Sequence, residues 1–491
     1  MVSALAMGQQ KPLCFFTCIL LALGSAMAQS KTGQLDQFMQ QYHNHQLFNG
    51  NVLIIEKGNT VFSKSYGLAS LEWNQAHQAD TKFRIGSLTK QFTALLIMQL
   101  KEQGKLDLHH KITHYLPWYP KEIGDQITIH HLLTHSSGLI NYTNQAAAID
   151  DINTHAYSPD EIARKYCVSP LEFEPGTQFR YCNTGYFLLG VIIETLTRKR
   201  YVDVLRENIL QPAGMTHSGM DSPEAILTNR AEGYSYTFDG FAHASYINPA
   251  TATFSAGGMY STVGDLSLWQ KALSEDKLVT KENKAIMFTP NRGNYGYGFY
   301  INRLPSGQPG QVTTVIGHNG SISGFSSSML RYLEDDILVI LLDNTRAERR
   351  GNLENITLGL VHILLHKSGV PLVESMQVAI TERVHKSSGA DLIAYYKTMK
   401  AQKSVYDVSR AESILIDLGN FLAQQGRIND GHTVLQFATE EFPSSSGCYS
   451  AYAALLVKEG QLRAAKAMYQ RALELNPVNE QAVIQLKALQ P

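Results

Sequence analysis

Apolar and polar residues alternate in two stretches near the start of the chain and in three stretches beyond residue 310. This alternation predicts five β-strands, the first two and the last two joined as hairpins by short polar turns: residues 51–56, 60–66, 313–316, 326–333 and 337–343. Around them, apolar residues recur at helical spacing, which predicts helices: residues 33–47, 87–104, 187–196, 201–209, 263–273 and 353–365. Strands at both ends of a helical middle predict one α/β domain over residues 33–370.

Beyond that domain the pattern changes to helix-forming residues with an internal repeat. Three pairs of residues share one spacing of 34: Gly426 and Gly460, Ala438 and Ala472, and Pro443 and Pro477. A period of 34 residues is that of tetratricopeptide repeats, although a generic pair of helical hairpins is the alternative. We expect a linker over 371–388 and a helical-repeat region over 389–491 that docks on the first domain or binds a partner protein. Deleting that region is expected to leave catalysis largely intact.

The N-terminal residues 1–28 have the pattern of an export signal. Lys11 precedes an apolar run from Pro12 to Gly24, and Ala26-Met27-Ala28 fits the small-residue cleavage site. The run is shorter than the roughly 20 residues of a membrane span, although an uncleaved anchor is the alternative. We therefore expect an exported protein, periplasmic or secreted, with no membrane span in its mature chain.

Charge and cysteine content narrow the function classes. The 42 Lys and Arg residues balance 43 Asp and Glu residues, so the formal net charge of −1 gives no indication of nucleic-acid binding. Only Cys167, Cys182 and Cys448 follow the predicted signal. Three cysteines do not make a disulfide scaffold, and Cys167 and Cys182 are expected as free buried thiols, with a bridge between them as the alternative.

A pair of histidines four residues apart raises the question of a metal site. His131 and His135 have the spacing of a helical zinc pair, but Leu132 stands where a zinc protease has its glutamate. No third cluster of ligands is evident in the sequence. We therefore predict no metal and no cofactor, and interpret both histidines as structural residues.

The strongest candidate for chemistry is Ser87, three residues before Lys90 at the start of a long apolar helix. Residues three apart share one helical face, so the hydroxyl and the amine can touch. A buried lysine with a lowered pKa can take the proton of a serine and so activate it as a nucleophile. The same spacing recurs at Ser274 and Lys277 without an apolar helix behind it, and there we interpret it as a surface turn.

Two further segments carry groups suited to acyl transfer. Tyr181 and Asn183 lie between a Pro-Gly-Thr turn and an apolar helix, and His318 and Gly320 end a predicted strand before a glycine-bearing turn. A buried, hydrogen-bonded tyrosine and a histidine at a strand end are the structural alternatives for Tyr181 and His318.

Together these segments resemble the serine β-lactamase-related hydrolases, which include class C β-lactamases, penicillin-binding carboxypeptidases and their esterase relatives. The resemblance extends from about Leu35 to Leu365 and rests on five blocks in family order: Phe83 to Lys90, His131 to Leu139, Tyr181 to Asn183, Ala256 to Thr262 and Gly317 to Gly320. It implies a β-lactamase/transpeptidase-like antiparallel sheet flanked by helices, followed by the all-α repeat region.

The resemblance also implies a role for each candidate residue. Ser87 would form an acyl-enzyme, while Lys90 and Tyr181 would share the base and acid work. Asn183 would hydrogen-bond the substrate or Lys90. The N–H groups of Ser87 and Ser321 would form the oxyanion hole, with Gly320 beside them.

His318 would occupy the position where β-lactamases carry a lysine. Because an unperturbed histidine is mostly neutral at pH 7, we expect weak or absent β-lactamase activity and a preference for esters or D-amino-acid amides and peptides, including cell-wall fragments. Any turnover of anionic substrates is expected to rise as the pH falls toward the pKa of His318. A non-catalytic envelope protein that binds cell-wall peptides, or scaffolds a complex through its repeats, is the alternative.

Overall fold

A computed structural model describes residues 30–306, 310–346, 353–367 and 372–489. The predicted export signal and its two cysteines lie outside these residues. Across the described ranges, no helix is both long and apolar enough to cross a bilayer.

The strands are numbered in chain order. They are β1 (Gly50–Glu56), β2 (Asn59–Tyr66), β3 (Leu68–Ser70), β4 (Gln75–Ala76), β5 (Phe83–Arg84), β6 (Gly219–Met220), β7 (Tyr234–Thr237), β8 (Gly240–His243), β9 (Met259–Ser261), β10 (Tyr300–Pro305), β11 (Val312–Ile322), β12 (Phe325–Tyr332), β13 (Ile337–Asp343), β14 (Glu374–Ser375) and β15 (Tyr406–Asp407).

The helices are numbered in the same way. They are α1 (Lys31–Asn44), α2 (Thr89–Glu102), α3 (Ile112–Tyr115), α4 (Lys121–Gly124), α5 (Ile129–Leu133), α6 (Ala146–Thr154), α7 (Pro159–Tyr166), α8 (Asn183–Thr197), α9 (Tyr201–Leu205), α10 (Gln211–Ala213), α11 (Phe254–Gly257), α12 (Val263–Ser274), α13 (Lys281–Met287), α14 (Leu353–Leu364), α15 (Met376–Thr381), α16 (Gly389–Ala401), α17 (Ala411–Gln424), α18 (Ile428–Glu441), α19 (Ser446–Lys458), α20 (Leu462–Leu475) and α21 (Glu480–Ala488). Short 3₁₀ turns lie at Gly86–Leu88, Tyr142–Asn144 and Arg292–Asn294, and π turns at Arg206–Leu210 and Pro249–Thr253.

Six strands form one antiparallel sheet in the order β10-β11-β12-β13-β1-β2. β1 pairs with β13 along its whole length, from Gly50 opposite Asp343 to Glu56 opposite Ile337. The first hairpin of the chain therefore joins the last hairpin of the α/β region at the middle of the sheet. This arrangement confirms the predicted antiparallel sheet flanked by helices.

The structure differs from the sequence prediction at the edge of this sheet. β11 is longer than the predicted residues 313–316, because its second half contains Gly317 and Gly320, and glycine is depleted in strands. β10 was not predicted at all. Its exposed, polar positions reflect its place at the edge, where one side of the strand faces solvent.

Helices cover both faces of the sheet. On one face lies the helical middle of the chain, centred on α2, whose residues from Thr89 to Met98 are all buried. There the ring of Phe92 stacks on that of Trp269 with 4.2 Å between centroids. The other face packs against α1 and α14. Ser87 and Lys90 lie at the junction between the sheet and the helical middle.

The C-terminal helices form hairpins with a regular offset. α18 and α20 begin and end 34 residues apart, and α17 and α19 both end at that same interval. At the α17–α18 crossing, a Cβ on Gly431 would lie 2.8 Å from the carbonyl oxygen of Gly419, so the two helices approach closely where the repeat places a small residue. Assignment of these hairpins to the tetratricopeptide type stays a prediction.

Residues 374–381 fall inside the predicted linker, yet they form β14 and α15. β14 pairs in parallel with β15, and the side chains of Met376 and Ile380 are buried in the core of the C-terminal helices. This packed region therefore begins before residue 389. At six residues, α15 is too short to give a helical pattern in the sequence.

We predict that Gly431→Ala destabilises the C-terminal helices, whereas Gly447→Ala in α19 does not. Alanine gains up to about 1 kcal/mol over glycine inside a helix. At Gly447 the nearest atom to an added Cβ is 3.5 Å away. At Gly431 the nearest atom is the backbone oxygen of Gly419, at 2.8 Å. Overpacking of that kind costs about 1–3 kcal/mol. Urea unfolding followed by circular dichroism should show a lower midpoint only for Gly431→Ala, and equal midpoints would contradict this packing.

Candidate active site

Ser87 lies in a 3₁₀ turn that leads directly into α2. The preceding Gly86 has a φ of +51°, and a Cβ there would lie 2.8 Å from the backbone nitrogen of Ser321 on β11. On the same strand Gly320 passes so close to Ile85 that a Cβ would clash with its carbonyl oxygen. Glycines on both sides thus allow the backbone of β11 to run against the turn that carries Ser87.

Lys90 is completely buried one helical turn after Ser87, and its amine has three partners. Nζ lies 3.0 Å from Ser87 Oγ, 2.7 Å from Asn183 Oδ1 and 2.7 Å from the carbonyl oxygen of Ala256. Burial lowers the pKa of Lys90 well below its usual value, which favours the neutral amine. Because the oxygens of Asn183 and Ala256 can only accept, they take both hydrogens of that amine. In the neutral form the nitrogen lone pair is then left for Ser87, whose hydroxyl oxygen lies 3.0 Å away.

The orientation of the Asn183 side chain is fixed by a loop that the sequence analysis did not identify. Asn183 Nδ2 donates to Thr143 Oγ1 at 2.8 Å, and Thr143 Oγ1 donates to Asn141 Oδ1 at 3.0 Å. The backbone N–H of Asn183 also donates to Asn141 Oδ1, at 3.1 Å. These bonds leave Oδ1 of Asn183 directed at Lys90.

The carbonyl of Ala256 reaches Lys90 because the chain turns sharply at α11. Phe254 has a φ of +41°, unusual for a bulky residue, and its ring packs between those of Phe187 and Tyr201. The carbonyl of Ser255 accepts from Thr93 Oγ1 at 2.6 Å, so two successive carbonyls face α2. Strained backbone of this kind is typical of functional sites.

Tyr181 lies in the same cavity as Ser87, with its ring centroid 4.9 Å from Lys90 Nζ. Its hydroxyl is buried and has no hydrogen-bond partner of good geometry among the described residues. Burial raises its pKa well above 10, and the Ser87 hydroxyl beside it acts in the opposite direction. Tyr181 is therefore a neutral phenol available to a group that binds at Ser87.

His318 is buried and keeps both ring nitrogens occupied. Nδ1 donates to the carbonyl oxygen of Asn319 at 2.5 Å, which makes Nε2 the acceptor for the Tyr295 hydroxyl at 3.0 Å. Burial lowers its pKa to about 3. The expectation that anionic substrates gain as the pH approaches the pKa of His318 is therefore wrong for the neutral range, because the pKa lies far below it.

The remaining sequence candidates have structural roles. His131 Nδ1 accepts from the N–H of Thr128, and His135 Nδ1 accepts from the N–H of Cys182. Cys167 and Cys182 are free buried thiols, so the bridge between them is not formed. Within the described ranges, no three His, Cys, Asp or Glu residues are arranged to hold a metal ion.

An open cavity of about 780 Å³ lies over Ser87 and continues along β11 toward α14. No lysine or arginine is among the described residues that line it. It contains one carboxylate, Glu354, whose Oε1 accepts from Asn319 Nδ2 at 2.5 Å. The lining is otherwise neutral: Ser87, Tyr181, Gly293, Tyr300, Asn302, Leu304, Val315, Gly317, His318, Asn319, Gly320, Ser321, Leu330, Tyr332, Asn355 and Leu358.

Comparison with known proteins agrees with this geometry. The chain matches the protein-family model described as Beta-lactamase over residues 35–362. It is 31% identical over 338 residues to Penicillin-binding protein 4* of Bacillus subtilis (strain 168), covering 65% of this chain and 73% of that protein. It is 27% identical over 341 residues to Teichoic acid D-alanine hydrolase of Staphylococcus aureus (strain MRSA252), covering 63% and 78% respectively.

A solved structure shows the same fold. D-amino acid amidase from Ochrobactrum anthropi SV3, complexed with D-phenylalanine, superposes with a TM-score of 0.56 and 26% identity, covering 68% of this chain and 96% of that one. The C-terminal helices beyond residue 362 lie outside the family match.

We predict that activity falls on the acid side through protonation of Lys90 and not of His318. The neutral amine accepts the Ser87 proton, so kcat/KM for p-nitrophenyl acetate should decrease as the pH falls and Lys90 becomes charged. A pKa of about 3 for His318 means that His318→Gln should leave the position of this acid limb unchanged between pH 5 and 8.5. Lys90→Arg keeps its charge throughout and should lose about 10²–10⁴-fold at every pH. An acid limb that disappears in His318→Gln would contradict this assignment.

Proposed function

Because the chain belongs to the Beta-lactamase family, whose related members are serine hydrolases, we propose that it is an exported hydrolase that cleaves esters or amides of D-amino acids through a covalent acyl-enzyme. The observation that carries this proposal is the contact of Ser87 with a buried Lys90, whose pKa burial lowers, beneath an open cavity. The N-terminal residues 1–28 support export by their composition.

The proposed reaction begins with attack of Ser87 Oγ on the carbonyl carbon while its proton passes to Lys90 Nζ. The backbone N–H groups of Ser87 and Ser321 stabilise the negative oxygen that develops. Tyr181 then relays the proton from Lys90 to the departing alcohol or amine, which leaves an acyl group on Ser87. Water attacks this acyl-enzyme by the same steps in reverse and releases the acid.

The charges in the cavity favour a substrate with a free ammonium group over one with a free carboxylate. The neutral His318 offers no cation at the position where related enzymes have a lysine. Loss of a charge-assisted hydrogen bond costs about 1.5–3 kcal/mol, which is roughly a ten- to hundredfold loss for anionic substrates. Glu354 adds a carboxylate to the same cavity. An ester or amide of an unblocked D-amino acid carries the ammonium group and lacks the carboxylate.

Two relatives have names that mention D-amino-acid substrates. One is a teichoic acid D-alanine hydrolase and the other a D-amino acid amidase. Penicillins, and peptides that end in a free D-alanine, carry a carboxylate. We therefore expect them to be poor substrates, with D-aminoacyl groups of the cell wall as the natural class.

A labelling experiment tests the nucleophile. A fluorophosphonate probe should label the wild type, and Ser87→Ala should abolish both this labelling and the hydrolysis of p-nitrophenyl butyrate. The matched control is Ser274→Ala, because Ser274 also stands three residues before a lysine but lies on the surface in α12. Labelling that survives Ser87→Ala, or a wild type that the probe does not label, would overturn the proposal in favour of a binding protein.

A second prediction concerns the charge of the substrate. Wild-type kcat/KM should be higher for D-alanine p-nitroanilide than for its N-acetyl derivative, and nitrocefin should be turned over weakly. Glu354→Gln removes the carboxylate and should lower kcat/KM about tenfold for the free amine, while the N-acetyl compound, which has no charge to lose, changes little. Equal effects on both compounds would remove Glu354 from substrate recognition.

A further inference from the structure

The hairpin formed by β7 and β8 reaches from the active-site region into the C-terminal helices. At its tip, Phe238 is only 3% exposed and belongs to the apolar core that those helices form. Its ring centroid lies 5.5 Å from that of Phe421 on α17. Leu418 and Leu422 of α17 are buried in the same core. The hairpin therefore supplies a core residue to helices that lie outside the family match.

Polar contacts fix the hairpin in this position. Gln377 Nε2 of α15 donates to the carbonyl oxygen of Tyr236 at 2.9 Å in a buried setting. Asp239 at the tip lies 3.0 Å from His385 Nε2 and accepts from Gln425 Nε2 at 3.2 Å. An isolated two-stranded hairpin is marginally stable in water. Tyr234 ties the base of the hairpin to Asn344 and Glu72, while the helices around the tip hold its other end.

The base of the same hairpin presses on the turn that joins β11 to β12. A Cβ on Gly233 would lie 2.6 Å from the ring of Phe325, and a Cβ on Gly324 would lie 2.6 Å from the Cα of Gly233. Ser323 Oγ also donates to the carbonyl oxygen of Ser245, just after β8, at 2.6 Å. Two glycines are required for an approach this close, so a shift of the hairpin must be transmitted to the turn.

This turn immediately follows the catalytic end of β11. Ser323 is two residues beyond Ser321, whose backbone nitrogen lies against Gly86 beside the nucleophile. A continuous set of contacts therefore leads from the core around Phe238, through the hairpin, to the strand end that faces Ser87. A displacement of about 1 Å at a catalytic group can cost up to 10²-fold in rate.

We propose that the C-terminal helices hold the β7–β8 hairpin so that it fixes the position of Ser321, and that Phe238 is a positioning residue for catalysis. This inference rests on the proposed function of Ser87. It reverses the sequence-based expectation that deletion of residues 389–491 leaves catalysis largely intact. It also gives the C-terminal helices a direct route by which a bound partner would alter the rate of acyl transfer.

The test compares two phenylalanines on one hairpin in the full-length protein. Phe238→Ala removes the ring from the C-terminal core, whereas the matched control, Phe241→Ala, removes a partly exposed ring that packs on Tyr236 within the hairpin. For p-nitrophenyl acetate, Phe238→Ala should lower kcat ten- to hundredfold with little change in KM. The hydrogen bond that weakens, from the Ser321 N–H to the developing negative oxygen, forms only in the transition state. Phe241→Ala should change kcat less than about twofold, and Phe238→Leu should restore most of the activity.

The outcomes separate this inference from the proposed function. If the wild type is labelled at Ser87 and Phe238→Ala keeps wild-type kcat while limited proteolysis shows its C-terminal helices released, the positioning role is wrong. If the wild type itself is not labelled, the proposed function has failed. Should Phe238→Ala unfold, Gln377→Ala provides the second variant, because it breaks the bond to the Tyr236 carbonyl without opening the core. It should lower kcat in the same direction, and unchanged kcat in a folded Gln377→Ala would also overturn the role.

Discussion

The burial of one amine, that of Lys90, is the constraint on which the site depends. A charged ammonium with no carboxylate beside it is costly in an apolar interior, so burial favours the neutral form. The neutral form has only two hydrogens, and the Asn183 and Ala256 oxygens can accept both. The remaining lone pair is thereby directed at Ser87. Desolvation and the two acceptors together orient that lone pair, and neither alone would do so.

That constraint requires distant segments to meet within hydrogen-bond distance. The turn at Gly86–Leu88 supplies the serine, α2 supplies the lysine, α8 begins with Asn183, and α11 supplies the Ala256 carbonyl. β11 closes the site from the sheet side, where Gly86 and Gly320 permit backbone contact that any side chain would block. The same close packing explains why the β7–β8 hairpin, which contacts the turn after β11, matters for the position of Ser321. In a close-packed region, a neighbour that moves must displace what it touches.

Sequence reasoning reached the side chains that carry recognisable chemistry and missed the groups that orient them. Ser87 and Lys90 were identifiable because their spacing implies one helical face, and the strand pairs were identifiable from alternation. The Ala256 carbonyl has no such pattern, since every residue carries one. Asn141 and Thr143 act only through a loop conformation that brings them to Asn183. Asn183 is 42 residues from Asn141 and 40 residues from Thr143 in sequence. Contacts across such distances depend on the completed fold.

His318 shows how a residue substitution can change the chemistry of a site through its surroundings. The sequence indicated a neutral histidine from its ordinary pKa, and burial strengthens that neutrality by lowering the pKa to about 3, although the bond to the Asn319 carbonyl acts in the opposite direction. Such a histidine cannot serve as a cation for a substrate carboxylate. It holds β11 and the Tyr295 ring in place instead. Discrimination between substrates then depends on the charge that remains in the cavity. Among the described lining residues, that charge is the carboxylate of Glu354.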